Sequence, residues 1–157
     1  MVGAIKSILA FILLFMFLHP GTAQSGYKFT NYGEDDGLFS NNDINDVLKD
    51  QTGFIWVATG DGLYKFDGLR FHSYRKDVGK KNSLPYNFCR NLFEDSKNNI
   101  WILHRGKGLA LYNRKTDDFS HFFHVRGDTG SLSSNIIYPG IEEDQFGNIW
   151  IPTDNGL

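Results

Sequence analysis

A short unit is written three times along this chain: Asp50-Gln-Thr-Gly53-Phe-Ile-Trp56, Asp95-Ser-Lys-Asn98-Asn-Ile-Trp101 and Asp144-Gln-Phe-Gly147-Asn-Ile-Trp150. The three tryptophans fall 45 and 49 residues apart. Turn residues followed by an Ile-Trp strand, at a period in the forties, are the mark of stacked β-units such as propeller blades, each of which buries its neighbour's face. The fold class expected is therefore all-β, and recognition is a better expectation than chemistry.

Turn chemistry divides each unit into four short antiparallel strands. In the first, Ile44 to Leu48 alternates, Asp50 to Gly53 turns, and Phe54 to Thr59 continues. Gly60-Asp61-Gly62 turns again before Leu63 to Phe66, and Asp67-Gly68 precedes Phe71 to Tyr74. Gly and Asp at these places supply the positive φ that hairpin turns need. The second copy follows the same order with Phe88 to Phe93, Ile100 to Leu103, Leu109 to Tyr112 and Phe119 to Phe123, its second turn one residue longer. A third offers Ile136 to Ile141 and Ile149 to Ile151, with Pro152 placed where it would interrupt a ladder unless a bulge absorbs it. The repeats run at about 36–80, 82–128 and 130–157, within a partial propeller over 27–157. Gly156-Leu157 aligns with Gly62-Leu63 and Gly108-Leu109, so the third copy stops before its third strand. A closed propeller takes at least four blades. The expectation is about two and a half four-stranded blades of an incomplete propeller, from the N-terminal part of a longer protein.

Residues 1–23 read as an export signal. Lys6 precedes an apolar run from Ile8 to Leu18, and Gly21-Thr22-Ala23 offers a small-residue cleavage site before Gln24. The run is shorter than the about 20 residues of a membrane span. Cleavage and retention as an anchor both stay open. Composition excludes other classes: with 16 basic and 18 acidic residues and no long Lys/Arg cluster, nucleic acid is not expected as a partner. The single cysteine, Cys89, excludes an intrachain disulfide and reads as a small buried hydrophobe.

The order Gly-Leu, then Ser-Asn before an alternating strand, then Asp-x-x-Gly-x-Ile-Trp-x-x-Thr-x-x-Gly-Leu resembles the two-component regulator propeller repeat. It is carried by Gly37-Leu38-Phe39-Ser40-Asn41, Asp50 to Trp56, Thr59 and Gly62-Leu63, then by Asp95, Ile100-Trp101 and Gly108-Leu109. Leu132-Ser133-Ser134-Asn135, Asp144 to Trp150, Thr153 and Gly156-Leu157 carry it again. Leu103-His104 and Pro152-Thr153 depart from the usual small residue and threonine represented by Ala58-Thr59. The resemblance implies the periplasmic sensor region of a hybrid two-component histidine kinase of the Bacteroidetes type. Its parent would be anchored in the inner membrane, carry further blades and a kinase, and act as a homodimer. None of the kinase core lies in these residues.

No catalytic, cofactor-binding or metal-binding residue is assigned, no cofactor is expected, and the ligand-binding residues are not readable. The tryptophans could be sugar-stacking platforms, but recurrence at one repeat position argues for packing between blades. The Asp-x-x-Gly turns offer one carboxylate each, far short of a calcium loop. His121 and His124, three apart on an expected strand, would point to opposite faces instead of converging on zinc. Asp117-Asp118 and Glu142-Glu143-Asp144 could be paired acids, but each adjoins a turn and reads as a solvated face. Two function classes stand: a sensor propeller responding to an oligosaccharide, and a piece of an exported propeller enzyme such as a polysaccharide lyase or glycosidase. A ligand-free structural repeat is a third. In either of the first two, specificity would sit on loops such as Arg75 to Ser83 and Arg126 to Ser131.

Overall fold

The computed structural model describes residues 26–38 and 43–157. The export signal at 1–23 and the motif residues Phe39, Ser40 and Asn41 lie outside the described residues. Residues 26–31, which group with the N-terminal part of the chain, have no regular secondary structure and are exposed. The sheets lie within Tyr32–Leu157.

Two four-stranded antiparallel sheets carry the first two repeats. The first orders β1 (Ile44–Lys49), β2 (Ile55–Thr59), β3 (Gly62–Phe66) and β4 (Phe71–Tyr74) in sequence. The second orders β5 (Cys89–Glu94), β6 (Ile100–His104), β7 (Leu109–Asn113) and β8 (Asp118–Phe122) in the same way. The third repeat contributes β9 (Glu142–Glu143) paired with β10 (Ile149–Trp150). These are propeller blades, and the stack is incomplete, as the repeats predict. The sheets approach through β1 and β5, with β2 also against β5. The first strand of each blade is therefore on the converging, inner side, and β4 and β8 are outermost.

Hydrophobic packing runs between the blades. Trp56, Ala58 and Leu63 of the first sheet share one core with Cys89, Ile100, Ile102, Ala110, Tyr112 and Phe119 of the second. Leu103 and Leu109 pack on Ile137 and Ile141 of the third repeat, with Trp101 against them. Each sheet thus lends one face to the next, the geometry that makes blades interdependent. The leucine opening each repeat packs into a core: Leu38 with Val57 and Tyr64, Leu84 in the first inter-blade core, and Leu132 against the second. Cys89 is fully buried, and burial pushes its thiol well above the ordinary range.

The outer edge of β8 is not bare. The Phe119 amide donates to the Asn82 carbonyl, and the His121 ring meets the Ser83 carbonyl at 2.6 Å. The segment that crosses from one blade to the next is laid along the last strand, covering an edge that would otherwise template further pairing.

The inner strands share an irregularity. Ile44 pairs with Thr59 and Asp46 with Ala58, leaving Asn45 as an extra residue; Cys89 pairs with His104 and Asn91 with Leu103, leaving Arg90. These are one bulge repeated at equivalent positions, which takes a side chain out of the sheet's alternation. The third repeat departs further. Ile137 meets Thr153 in an isolated bridge, the strand expected from Ile136 to Ile141 does not form, and Pro139 and Pro152 lie outside any strand. Proline supplies no ladder donor, so the pairing around this bridge shrinks to the Tyr138 amide donating to the Pro152 carbonyl at 2.8 Å and the Asp154 amide donating to the Ile136 carbonyl at 3.2 Å.

Candidate functional site

The residues that repeat are engaged in holding the blades. In each unit the aspartate caps its own turn and grips its own tryptophan. Asp50 Oδ1 accepts from the Thr52 and Phe54 amides and the Thr52 hydroxyl, while Oδ2 accepts from Trp56 Nε1 at 2.9 Å. Asp95 does the same with the Lys97 and Asn99 amides and Trp101 Nε1, and Asp144 with the Phe146 and Asn148 amides and Trp150 Nε1, both indole bonds 3.0 Å. Burial raises the Asp50 and Asp95 carboxyls, but the bonds they accept outweigh it and hold both below the ordinary value. The last residue of each turn, Gly53, Asn98 or Gly147, has positive φ (95°, 63° and 81°), which restricts the position to glycine or asparagine. The tryptophans do pack between blades, but their indole N–H bond to the aspartate, six residues earlier, explains why Asp and Trp recur together.

The acidic pairs lie at the surface, Asp117 and Glu142 exposed and the others half-buried, and several of them also hold structure. Glu143 accepts from the Ser96 amide and hydroxyl, both at 2.6 Å, and Glu94 accepts from the Gln51 amide at 3.0 Å. The glutamate before each of the later aspartates therefore clips the turn of the preceding blade. The signal was present as Glu-Asp at both 94–95 and 143–144. Asp117 Oδ1 accepts from Tyr74 of the first blade and Tyr112 of the second, both at 2.7 Å. Lys65 Nζ completes this junction, donating to Tyr112 at 3.1 Å and lying 5.0 to 5.5 Å from the rings of Phe54, Trp56 and Tyr112. Asp118 begins β8 and accepts from Asn82, Asn113 and Thr116.

The histidines are dispersed. His121 lies on β8, but His124 lies beyond its end and meets the Leu132 carbonyl at 2.7 Å, so the two do not share a strand. Among the described residues no three His, Cys, Asp or Glu side chains are grouped to hold a metal ion. The loops expected to vary are closed by their own serines. Ser83 Oγ accepts from the Asp77 amide and Ser131 Oγ from the Val125 amide, both at 2.9 Å. Asn87 and Asn135 in turn accept from the Lys76 and His124 amides, which gives the motif's asparagine its role in pinning the crossover.

The inner end of the first two blades carries a small depression in which residues of both meet. A cavity of about 250 Å³ is lined by Asn45, Phe88, Arg90 and Arg105. Two of these are the bulged residues of β1 and β5, and Arg105 comes from the lengthened β6–β7 turn. Its frame is fixed: Asn45 Nδ2 donates to the Cys89 carbonyl at 2.8 Å, and His104 Nδ1 donates to the Phe88 carbonyl at 3.1 Å. His104 is buried, which lowers its pKa to about 4 and keeps it neutral. It stands where the other repeats place Thr59 and Thr153, whose hydroxyls donate to the Gly62 and Gly156 carbonyls and close the turn. Two larger depressions, of about 640 and 560 Å³, lie beside β4 and beside Trp150.

Fold and repeat geometry together define a stack of propeller blades. A model of the two component regulator propeller family matches residues 38–61. That match falls on the first copy of the repeat, from Leu38 to Asp61. Histidine kinase P4 of Formosa agariphila is 36% identical over 75 residues, covering 46% of this chain and 5% of that protein. Among solved structures, the extracellular domain of BT3049 from B. thetaiotaomicron, described as a hybrid two component system, superposes with a TM-score of 0.69 and 31% identity, over 78% of this chain and 17% of that one. The extracellular domain of BT4673 from the same organism gives 0.58 and 30%, over 71% and 15%. Virginiamycin B lyase of Staphylococcus aureus, at 16% identity and a TM-score of 0.51 over 73% of this chain and 39% of that one, shares the fold alone. The chain thus spans a small fraction of the relatives it matches. Among the described residues no helix is long and apolar enough to cross a membrane.

Proposed function

We propose that the chain is part of the exported, periplasmic ligand-sensing propeller of a two-component histidine kinase that responds to an oligosaccharide. The observation that carries this reading is the three-copy repeat, whose relatives are extracellular domains of two-component systems. The enzyme alternative draws less support, because the acidic residues that could have formed a general acid/base pair hold turns and neighbouring blades. A sensor needs a ligand with different affinities for two arrangements of the protein; it needs no proton transfer. The experiment takes the full-length protein and a panel of oligosaccharides, reading binding by calorimetry, autophosphorylation with ATP, and product formation. Binding that changes autophosphorylation and leaves the saccharide intact is expected. Cleavage or elimination of the saccharide would establish the enzyme reading instead.

A further inference from the structure

We propose that the cavity between the inner strands β1 and β5 is an anion-binding subsite in which Arg90 and Arg105 hold the carboxylate or sulfate of an acidic sugar. The sugar clause rests on the sensor reading; the anion clause rests on the geometry alone.

The argument starts from where the second repeat departs from its neighbours. His104 replaces a threonine, the β6–β7 turn gains a residue, and the bulge carries Arg90 where β1 carries Asn45. These departures surround one cavity. A bulge takes its residue out of the ladder's alternation and re-aims the side chain, and Arg105 reaches the same space from the neighbouring turn.

Charge then selects the ligand. Arg114 is tied to Asp50 and Glu94, and Arg75 to Asp61. Arg90 and Arg105 have no hydrogen-bond or carboxylate partner among the described residues. Two guanidiniums line one small, solvent-open depression, and each presents a planar fork of donors suited to an oxyanion. Phe88 adds an apolar wall. The bonds from His104 to the Phe88 carbonyl and from Asn45 to the Cys89 carbonyl fix that wall before any ligand arrives. At about 250 Å³ the cavity falls below the about 300–1,000 Å³ of drug-sized sites, which suits one sugar residue better than a chain of them.

The test measures binding of glucuronate, glucose 6-sulfate, glucose and inorganic sulfate to the full-length protein by calorimetry. It is repeated on Arg90→Gln, Arg105→Gln, the double variant, Arg105→Lys, and Arg70→Gln as an exposed arginine outside the cavity. An acidic sugar is expected to bind where glucose does not. Each single glutamine variant should weaken it by about ten- to a hundredfold, the double variant should abolish it, and Arg105→Lys should fall between, keeping charge but losing the fork. Arg70→Gln should bind as the parent does, and unchanged thermal midpoints in the cavity variants exclude misfolding as the cause. Inorganic sulfate bound as tightly as the acidic sugars overturns the sugar clause. An acidic sugar bound equally by parent and double variant overturns the subsite while leaving the sensor reading intact. If neither acidic sugars nor sulfate bind, the subsite fails; if the oligosaccharide panel also fails, the sensor reading falls with it.

Discussion

The three aspartate–tryptophan pairs form a graded series, because the same bond occurs at different depths. Trp56 is fully buried, Trp101 half-buried, and Trp150 is 49% exposed. Replacing Asp50 by alanine removes five accepted bonds. The indole N–H of Trp56 then has no route to water, a loss of about 1–3 kcal/mol. The Thr52 and Phe54 amides and the Arg114 guanidinium are only part-buried and recover some hydration, adding about 1–2 kcal/mol. Asp50→Ala should therefore lower the unfolding free energy by about 2–5 kcal/mol, a shift of about 1–2.5 M in the urea midpoint at a slope of about 2 kcal/mol per M. Tryptophan emission during equilibrium urea unfolding of the full chain reads it. Asp144→Ala should move the midpoint far less, since water can replace the carboxylate at Trp150. In a Trp56→Phe background, which keeps a ring but removes the donor, the cost of Asp50→Ala should shrink by about 1–2 kcal/mol. Equal losses at Asp50 and Asp144, together with no coupling to Trp56, would refute the claim that the orphaned indole sets the cost.

Acid should weaken the same turns. Asp50 and Asp95 have lower pKa values folded than unfolded, so their contribution is complete above the ordinary carboxylate value, about 3.9, and is lost as pH falls through the depressed folded values. Circular dichroism against pH should show a shallower acid transition in Asp50→Asn, on a lower plateau. Gly62 has φ of 139°, and a methyl there would lie 2.7 Å from the Tyr74 carbonyl oxygen, whereas Gly53, at 95°, has open space around it. Gly62→Ala should cost at least about 2 kcal/mol and Gly53→Ala about 1 kcal/mol, a difference visible in thermal midpoints. Glu143→Gln should speed hydrogen exchange at the Ser96 amide by about tenfold and leave the Gln51 amide, held by Glu94, unchanged.

Much of the fold was legible because β-structure with tight turns writes itself locally. Asp-x-x-Gly, Gly-Asp-Gly and Asp-Gly mark places where the backbone must reverse, and the strands between them follow within a residue; β4 is Phe71–Tyr74, as read. The third repeat's first strand was misread because Ile136 to Ile141 has apolar residues of strand type, while Pro139 and Pro152 remove the donors that would have paired it. The acidic pairs read as surface groups, and what they hold there was hidden for another reason. A Glu-Asp dipeptide looks the same whether it faces water or an adjoining turn, and the partner of Glu143 lies 47 residues away. The cavity was invisible because a bulge is a matter of pairing register: nothing in Ile-Asn-Asp or Cys-Arg-Asn says that its middle residue will be the unpaired one.

The crossover segment along β8 has a consequence for the order in which the fold is made. Ser83 is synthesised 38 residues before His121, the residue that meets its carbonyl. In the finished blade β8 lies in a slot with a partner on each side, β7 and a strap that precedes it in the chain, so a strap that forms first would receive the strand on arrival. A growing stack of this kind need not display a bare lateral edge at each completed sheet. Its remaining sticky surface is the broad face awaiting the next blade, so assembly advances around the ring while sideways pairing with other chains is suppressed.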